Sequence, residues 1–350
     1  MTKIVTIGGG TGSFMLLSGL KKYPIELSAI VSMSDDGGST GVLRDELGVL
    51  PPGDVRQCLV ALSDASDELR AIMNYRFTEG GLKGQSFGNL FLSALEKTHK
   101  NFLEGVRTAM GILKVKGEVI PVTGSNAHLH MELRDGTFLE GEDIIDHAHF
   151  QEQGVKKLFF RERVKANPRA VGKILNADVV VIGPGDLYGS ILSNLIVPEI
   201  AKAIRKTRAK IIYNANLTNK KGHTSRFSVD DYVDAIENTI GKGRIDFVTF
   251  NTKNPAEKLI QKYSHQEGKG FLVEFDEAKN PKRTYRLLRG DFLKDGAVKK
   301  VKGDALAHTR SFIRHDADKL AKAIMECVGV HSLCQTKVEM SGVHSLLTNN

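Results

Sequence analysis

The sequence predicts an α/β fold with a mostly parallel central sheet, and one local pattern that occurs twice predicts it. Lys3-Ile4-Val5-Thr6-Ile7 is a short β-branched run. It passes through Gly8-Gly9-Gly10-Thr11-Gly12-Ser13 into an apolar helical spacing at Phe14, Leu16, Leu17 and Leu20. In the second half, Ala177–Ile182 carries the continuous apolar run Val179–Ile182, the mark of a strand covered on both faces. It enters Gly183-Pro184-Gly185-Asp186-Leu187-Tyr188-Gly189-Ser190 and then an apolar helix to Val197. Each unit aims bare backbone N–H groups and a helix N-terminus at one point, where a phosphate is the natural occupant. A tight strand-to-helix turn without a ligand is the competing reading of either cluster. Gly8-x-Gly10 is followed by Ser13 where a dinucleotide fingerprint needs glycine, and no Lys-Ser/Thr pair closes a Walker loop.

With 350 residues, 41% apolar and 26% charged, the chain has ample length to bury a core of ordinary globular composition. No run approaches ~20 apolar residues, so no membrane span is expected. Met1 leads directly into a strand, which predicts no signal peptide. Cys58, Cys327 and Cys334 build no disulfide framework, which agrees with a cytoplasmic location. The spacing of Cys327, His331 and Cys334 fits no structural zinc pattern. The net charge of +8 is spread along the chain without an aromatic-interleaved basic motif. It therefore points to a phosphate-bearing ligand or an acidic partner surface, not to nucleic acid.

The second strand is expected at Glu26–Val31, ending in Ser34-Asp35-Asp36-Gly37-Gly38-Ser39-Thr40-Gly41. Adjacent carboxylates there suit a Mg²⁺ ion, a ribose or a base, and equally suit helix capping. After Pro51-Pro52-Gly53, Asp54 is expected to cap a helix carrying Val55, Leu59 and Leu62, with Arg56 on its first turn. Helices follow at Glu68–Phe77, Ser86–His99 and Phe102–Leu113. Asn89, near the start of the second of these, reads either as a packing group or as a ligand contact. Glu118–Val122, His128–Leu133 and Thr137–Leu139 read as a small β insertion, to which Leu158–Phe160 adds a strand. Pro168–Asn176 and Glu199–Lys206 are helices. The strand Lys210–Tyr213 ends in Asn214-Ala215-Asn216-Leu217-Thr218, whose amides suit a base or sugar edge, or a simple turn. Val229–Ile240 is a helix, Ile245–Phe250 a strand and Pro255–Tyr263 a helix. Short strands follow from Gly270, then Arg314 and a helix to Cys327. The expected organisation is one domain over residues 1–328 and a flexible tail over 329–350.

Four strand ends thus carry glycine, hydroxyl, aspartate or asparagine clusters, and in a parallel sheet such ends share one edge. Their chemistry suits a ligand with a diphosphate, sugars and a base. No nucleophile–base pair has a recognisable spacing, and no histidine lies in the four loops.

Gly-Gly-Gly-Thr-Gly at 8–12, Ser-Asp-Asp-Gly-Gly-Ser at 34–39, Pro-Pro-Gly-Asp-Val-Arg at 51–56, Gly-Asn-Leu at 88–90 and Gly-Pro-Gly-x-Leu-Tyr at 183–188 together resemble the YvcK (GlmR) family of gluconeogenesis factors. That family lies in the CofD-like superfamily, and the resemblance runs in order from residue 3 to about residue 326. It implies a Rossmann-like three-layer α/β/α sandwich and a cytoplasmic binding protein for UDP-N-acetylglucosamine. Such a protein would link gluconeogenic carbon metabolism to amino-sugar and cell-wall synthesis and to cell shape through a regulated protein partner. It implies no required cofactor and no established catalysis; separately, edge contacts between such sheets commonly build dimers, so a homodimer is an expectation by analogy. By the same resemblance, Gly9, Gly10, Thr11, Gly12 and Ser13 would hold the diphosphate, with Gly185 and Tyr188 in the second glycine loop. Asp35 and Asp36 would meet ribose or a metal, with Gly37 and Asn89 also at the ligand, Asn216 and Thr218 would face the base or sugar, and Arg314 would close on the ligand.

The other branch, the CofD enzymes, transfers a phospholactyl group to a deazaflavin with Mg²⁺, and Asp35-Asp36 beside a phosphate loop keeps that alternative in view. Its members look to continue Gly-Gly-Thr-Gly with Thr-Pro-Lys, where this chain has Ser13-Phe14-Met15. The chain departs from the first branch at Asp186, Gly189 and His223.

Overall fold

The computed structural model describes residues 1–295 and 313–329. The expected short strands after Gly270 lie partly, and the tail beyond Gly329 wholly, outside those residues.

The central sheet has seven strands in the order β10-β9-β8-β7-β1-β2-β3. They span Lys3–Gly8 (β1), Glu26–Val31 (β2), Glu118–Pro121 (β3), Val179–Ile182 (β7), Lys210–Asn214 (β8), Phe247–Asn251 (β9) and Arg286–Gly290 (β10). Every neighbouring pair is parallel, from Lys3 opposite Glu26 to Arg286 opposite Phe247. A parallel sheet needs cover on both faces, and the sequence supplies it. Ile4, Val5 and Ile7 point to alternate faces of β1, and all three are buried, as is the whole of Val179–Ile182.

Helices supply the cover. The first half contributes α1 (Gly10–Leu20), α2 (Gly38–Leu47), α3 (Gly53–Leu62), α4 (Asp67–Asn74), α5 (Phe87–His99) and α6 (Phe102–Ile112). Of these, α1 packs on α3 and, at its other side, on the C-terminal helix α13 (Ala317–Cys327). The second group comprises α8 (Pro168–Leu175), α10 (Pro198–Lys206) and α11 (Val229–Ile240), with α8 and α11 each packed on α10. Leu187–Leu192 is a π-helical turn continued by α9 (Ser193–Leu195), and α12 is Glu257–Glu267. The Rossmann-like α/β architecture expected from sequence is the architecture found.

Two elements fall elsewhere than expected. Glu118–Pro121 leaves the predicted β insertion and pairs with β2, as its buried Val119 and Ile120 allow. The insertion proper is the antiparallel sheet β5-β4-β6, made of Phe138–Glu140, Leu129–Leu133 and Val155–Phe160. It holds α7 (Glu142–His147) against the edge of the main domain. Arg286–Gly290, read from sequence only as one of several short strands, completes the main sheet at β9.

Candidate functional site

The chain order of the sheet reverses between β1 and β7, since β2 and β3 lie on one side and β8 to β10 on the other. The connections leaving β1 and β7 therefore lead to opposite sides of the sheet order, and a crevice opens beside their first turns at the carboxyl edge. A cavity of about 430 Å³ lies there. Gly9, Gly10, Thr11, Gly12 and Met15 form one wall; Pro184, Gly185, Asp186 and Ser190 form the second. Asn216, Leu217 and Thr218 from the end of β8, Asp146, and Ile313, Arg314 and His315 complete it.

Close approach of the two glycine loops accounts for their composition. A Cβ at Gly12 would collide with the backbone carbonyl of Pro184, and one at Gly9 with the Asp54 carboxylate. Gly10 has φ +61, a left-handed conformation that glycine adopts without strain. Gly10 also opens α1, but its amide is already engaged, because it donates to Asp54. Thr11 and Gly12 follow on the first helical turn, and their N–H groups have no backbone acceptor among the described residues. Of the loop amides that the sequence aims at an anion, that of Gly10 is spent on Asp54 and that of Ser13 donates to the Gly9 carbonyl at 3.4 Å, which leaves a smaller set than the sequence suggests.

Asp54 is where the structure most changes the reading. It does not cap α3, whose N-cap is Pro52 without a side-chain bond. Its carboxylate instead braces the first glycine loop from behind. Burial, with Asp35 alongside, pushes this carboxyl up to about 7 against the pull of the Gly10 amide and Arg56. Asp35 is also raised, by burial first, although Thr40 and the Gly37 amide donate to it. Glu142 is pushed up to about 10 by burial and by Asp35, Asp146, Asp186 and Asp54. A nest of protonatable carboxyls therefore lies under the crevice floor.

Of the residues expected at the ligand, Gly9, Gly10, Thr11, Gly12, Gly185, Asn216, Thr218 and Arg314 meet in this crevice. Six others do not line it. Asp36 accepts from the amides of Glu142 at 3.1 Å and Asp143 at 2.7 Å, so it caps α7. Asp35 turns inward toward Thr40 and Gly53, and Gly37 is the N-cap of α2 with Asp143 beside it. Asn89 accepts from Arg56 Nε at 2.9 Å, and Arg56, buried, also donates to Asn74 at 2.9 Å. That polar pair joins α3 to α5, a packing role. Ser13 is buried within α1, its Oγ 2.6 Å from where Gly8 would carry a Cβ. Tyr188 packs edge-on to Phe150 at 5.2 Å and is core.

Asn216 reaches the crevice with its amide partly used: Nδ2 donates to the Gly185 carbonyl at 2.9 Å. Asn214 likewise donates to Gly183 at 3.1 Å. Both asparagines staple the β8 end to the β7 loop. Of the three departures from the resembled family, Asp186 lines the crevice while its carboxylate caps the π-helical turn, accepting from Tyr188 at 3.0 Å and Gly189 at 2.7 Å. Gly189 lies beside it, with Glu142 where its Cβ would be. His223 is buried 4.5 Å from the Phe150 ring, its Nε2 donating to Ala148 at 2.8 Å.

Sequence reasoning missed His315, Ser190 and Asp146. His315 is buried and hydrogen-bonded to the backbone of Ala215, and burial lowers it to about 4, which favours the neutral imidazole. It comes from the segment before α13, far from the four loops in sequence, and no local spacing marks it. Ser190 does stand in the second glycine loop, so its hydroxyl was the one findable omission. Asp146, in α7, is paired with Lys220 at 2.5 Å on the rim.

A Mg²⁺ site does not fit the expected donors. Asp36 is committed to two amides and Asp35 to a hydroxyl and an amide, and no group of three or more His, Cys, Asp or Glu among the described residues is placed to hold a metal ion.

Sheet reversal, paired glycine loops and a polar crevice between them define a doubly wound α/β protein with a candidate ligand site at its switch point. The comparisons place it further. Residues 4–293 match the family model of 2-phospho-L-lactate transferase CofD. The chain is 34% identical over 326 residues to the "Gluconeogenesis factor" of Bacillus subtilis, covering 93% of this chain and 97% of that one. It is 37% identical to the "Gluconeogenesis factor" of Listeria innocua over 325 residues, 92% of this chain and 94% of that one. A crystal structure of a UPF0052 family member from Bacillus halodurans superposes with a TM-score of 0.84 at 35% identity, covering 93% of this chain and all of that one (100%). The chain belongs to the CofD family, on the branch whose members are named gluconeogenesis factors.

Proposed function

We propose that this protein is a cytoplasmic binding protein for a nucleotide sugar, UDP-N-acetylglucosamine. It acts as a regulator that couples gluconeogenic growth to amino-sugar and cell-wall synthesis, and thereby cell shape, through a protein partner. The observation that carries the reading is the pair of open amides at Thr11 and Gly12, facing the Gly185 loop across a polar crevice. Those amides suit a diphosphate, and the hydroxyls of Thr11, Ser190 and Thr218 suit the sugars. The gluconeogenesis-factor names of the relatives support the gluconeogenic part of the proposal.

A second reading, a CofD-type transferase, draws on the description of the matching family model. The capping role of Asp36 weighs against it. Calorimetric titration with UDP-N-acetylglucosamine, UDP, GDP and NAD, each with and without Mg²⁺, tests both. Selective, metal-independent binding of the UDP-sugar that is lost in Gly10→Arg is the expected result. A guanine nucleotide bound only with Mg²⁺ would transfer the case to the transferase.

A further inference from the structure

The crevice continues past Asn216. A second cavity of about 390 Å³ shares Asn216 and Leu217 with it and opens beyond the carboxyl ends of β8 and β9. Its wall is aromatic. Phe250 and Phe275 lie 5.7 Å apart between ring centroids at 49°, and both are partly exposed. The Arg283 guanidinium stacks 4.2 Å from the Phe275 centroid and is held in turn by Asp230, which fixes the ring. At the rim, the side chains of Asn254 and Glu274 are exposed and make no hydrogen bond among the described residues.

A ligand seated at a switch point can extend toward either half of the sheet. Toward β2 the way is filled: the hydroxyls of Ser32, Ser34 and Ser193 join at 2.8 and 3.0 Å, and Asp36 fastens α7 over them. Toward β9 it is open among the described residues. Resting on the nucleotide-sugar reading, we infer that the ligand's planar base leaves the diphosphate at Thr11 and Gly12, crosses Asn216, and lies on the Phe250–Phe275 wall. A flat heteroaromatic ring satisfies such a wall through its π face. Its hydrogen-bonding edge meets a carboxylate acceptor at Glu274, with Asn254 beyond it on the rim. The base lobe is thus built by β9 and the segment after α12, while the first glycine loop serves the diphosphate and sugars.

The chain contains no tryptophan, so Asn254→Trp places a single indole on the rim of this lobe without deleting a side-chain hydrogen bond. Its fluorescence is followed during titration with UDP-N-acetylglucosamine, UDP and inorganic pyrophosphate, with calorimetry on the same variant, on wild type and on Phe275→Leu. Both nucleotides should quench the indole by a third or more, and pyrophosphate should not. Phe275→Leu should weaken both nucleotides at least tenfold and leave pyrophosphate within twofold. Nucleotide binding lost in Gly10→Arg, yet with no quench and no effect of Phe275→Leu, would overturn the base lobe alone. An equal quench by pyrophosphate would also overturn it. No nucleotide binding by wild type would overturn the nucleotide reading and this inference together.

Discussion

Gly10 and Gly12 are two turns of the same motif with different physical reasons for lacking a side chain. Gly12 faces a backbone carbonyl that cannot yield, so Gly12→Ala should cost about 1–3 kcal/mol by overpacking. A Cβ at Gly10 would meet only ordinary van der Waals contacts, Asp54 Oδ1 at 3.8 Å and Ser190 Oγ at 4.0 Å, but the position is left-handed, so Gly10→Ala should cost about 1–2 kcal/mol from backbone strain. Urea unfolding of the two variants measures both. Asp54 carries a pH prediction. Its carboxyl ionises near 3.8 when unfolded and about 7 when folded, so between those values the folded state holds the extra proton. Stability contributed this way is complete below about pH 4 and is lost as pH rises through about 7, by on the order of a few kcal/mol. Asp54→Asn should flatten that slope in unfolding curves between pH 4 and pH 8, and a slope unchanged by the substitution would refute the assignment. Sequence reasoning named Asp54 but gave it the wrong partner, because a residue just past Pro-Pro-Gly matches a cap signal. Only the fold brings Gly10 to it.

At the scale of elements, helix α13 matters because its lead-in supplies Arg314 and His315 to the crevice. It docks on α1 through Gly19, where a Cβ would strike the Ala317 carbonyl and come within 2.9 Å of Ala321. Gly19→Val should therefore loosen α13. Hydrogen exchange over residues 317–327 should speed at least tenfold while the central strands keep their protection. The start of α11 is fastened by another device. Burial of Asp230 is outweighed by donors from Arg283 and Tyr285, which hold its carboxyl below the usual range. Both members of the Asp230–Arg283 pair are about nine-tenths buried, at 10% and 11% side-chain exposure. Removing one partner alone, as in Arg283→Met, should cost about 3–5 kcal/mol by thermal unfolding. The strand and helix periods were legible for long elements, and Val229–Ile240 was placed to the residue. Glu118–Pro121 was misassigned because four residues carry no information about which sheet they join.

The molecule as a whole should respond to its ligand by mass action. At a hundredfold excess over Kd, a ligand that binds only the folded state stabilises it by about 2.7 kcal/mol. UDP-N-acetylglucosamine should thus raise the Tm of wild type by several degrees and leave that of Gly10→Arg unchanged, by scanning calorimetry. Of the four loops expected to converge, three do. The Ser34–Gly41 loop turns down into Ser193 and α7, because three serine hydroxyls and two carboxylates find protein partners closer than any ligand.

Local chemistry by itself determined the α/β class, the two glycine-rich strand–turn–helix units and the phosphate-suited turn after the first strand. Each depends on residues a few positions apart, and periodicity and backbone freedom act at that range. Tertiary structure decided which polar groups face the crevice and which are spent inside the protein. Asp36, Asn89 and Arg56 found protein partners; His315, more than 90 residues from any of the four loops, found the site. An aspartate's or asparagine's role depends on where its nearest donor lies in space, and the chain topology sets that distance.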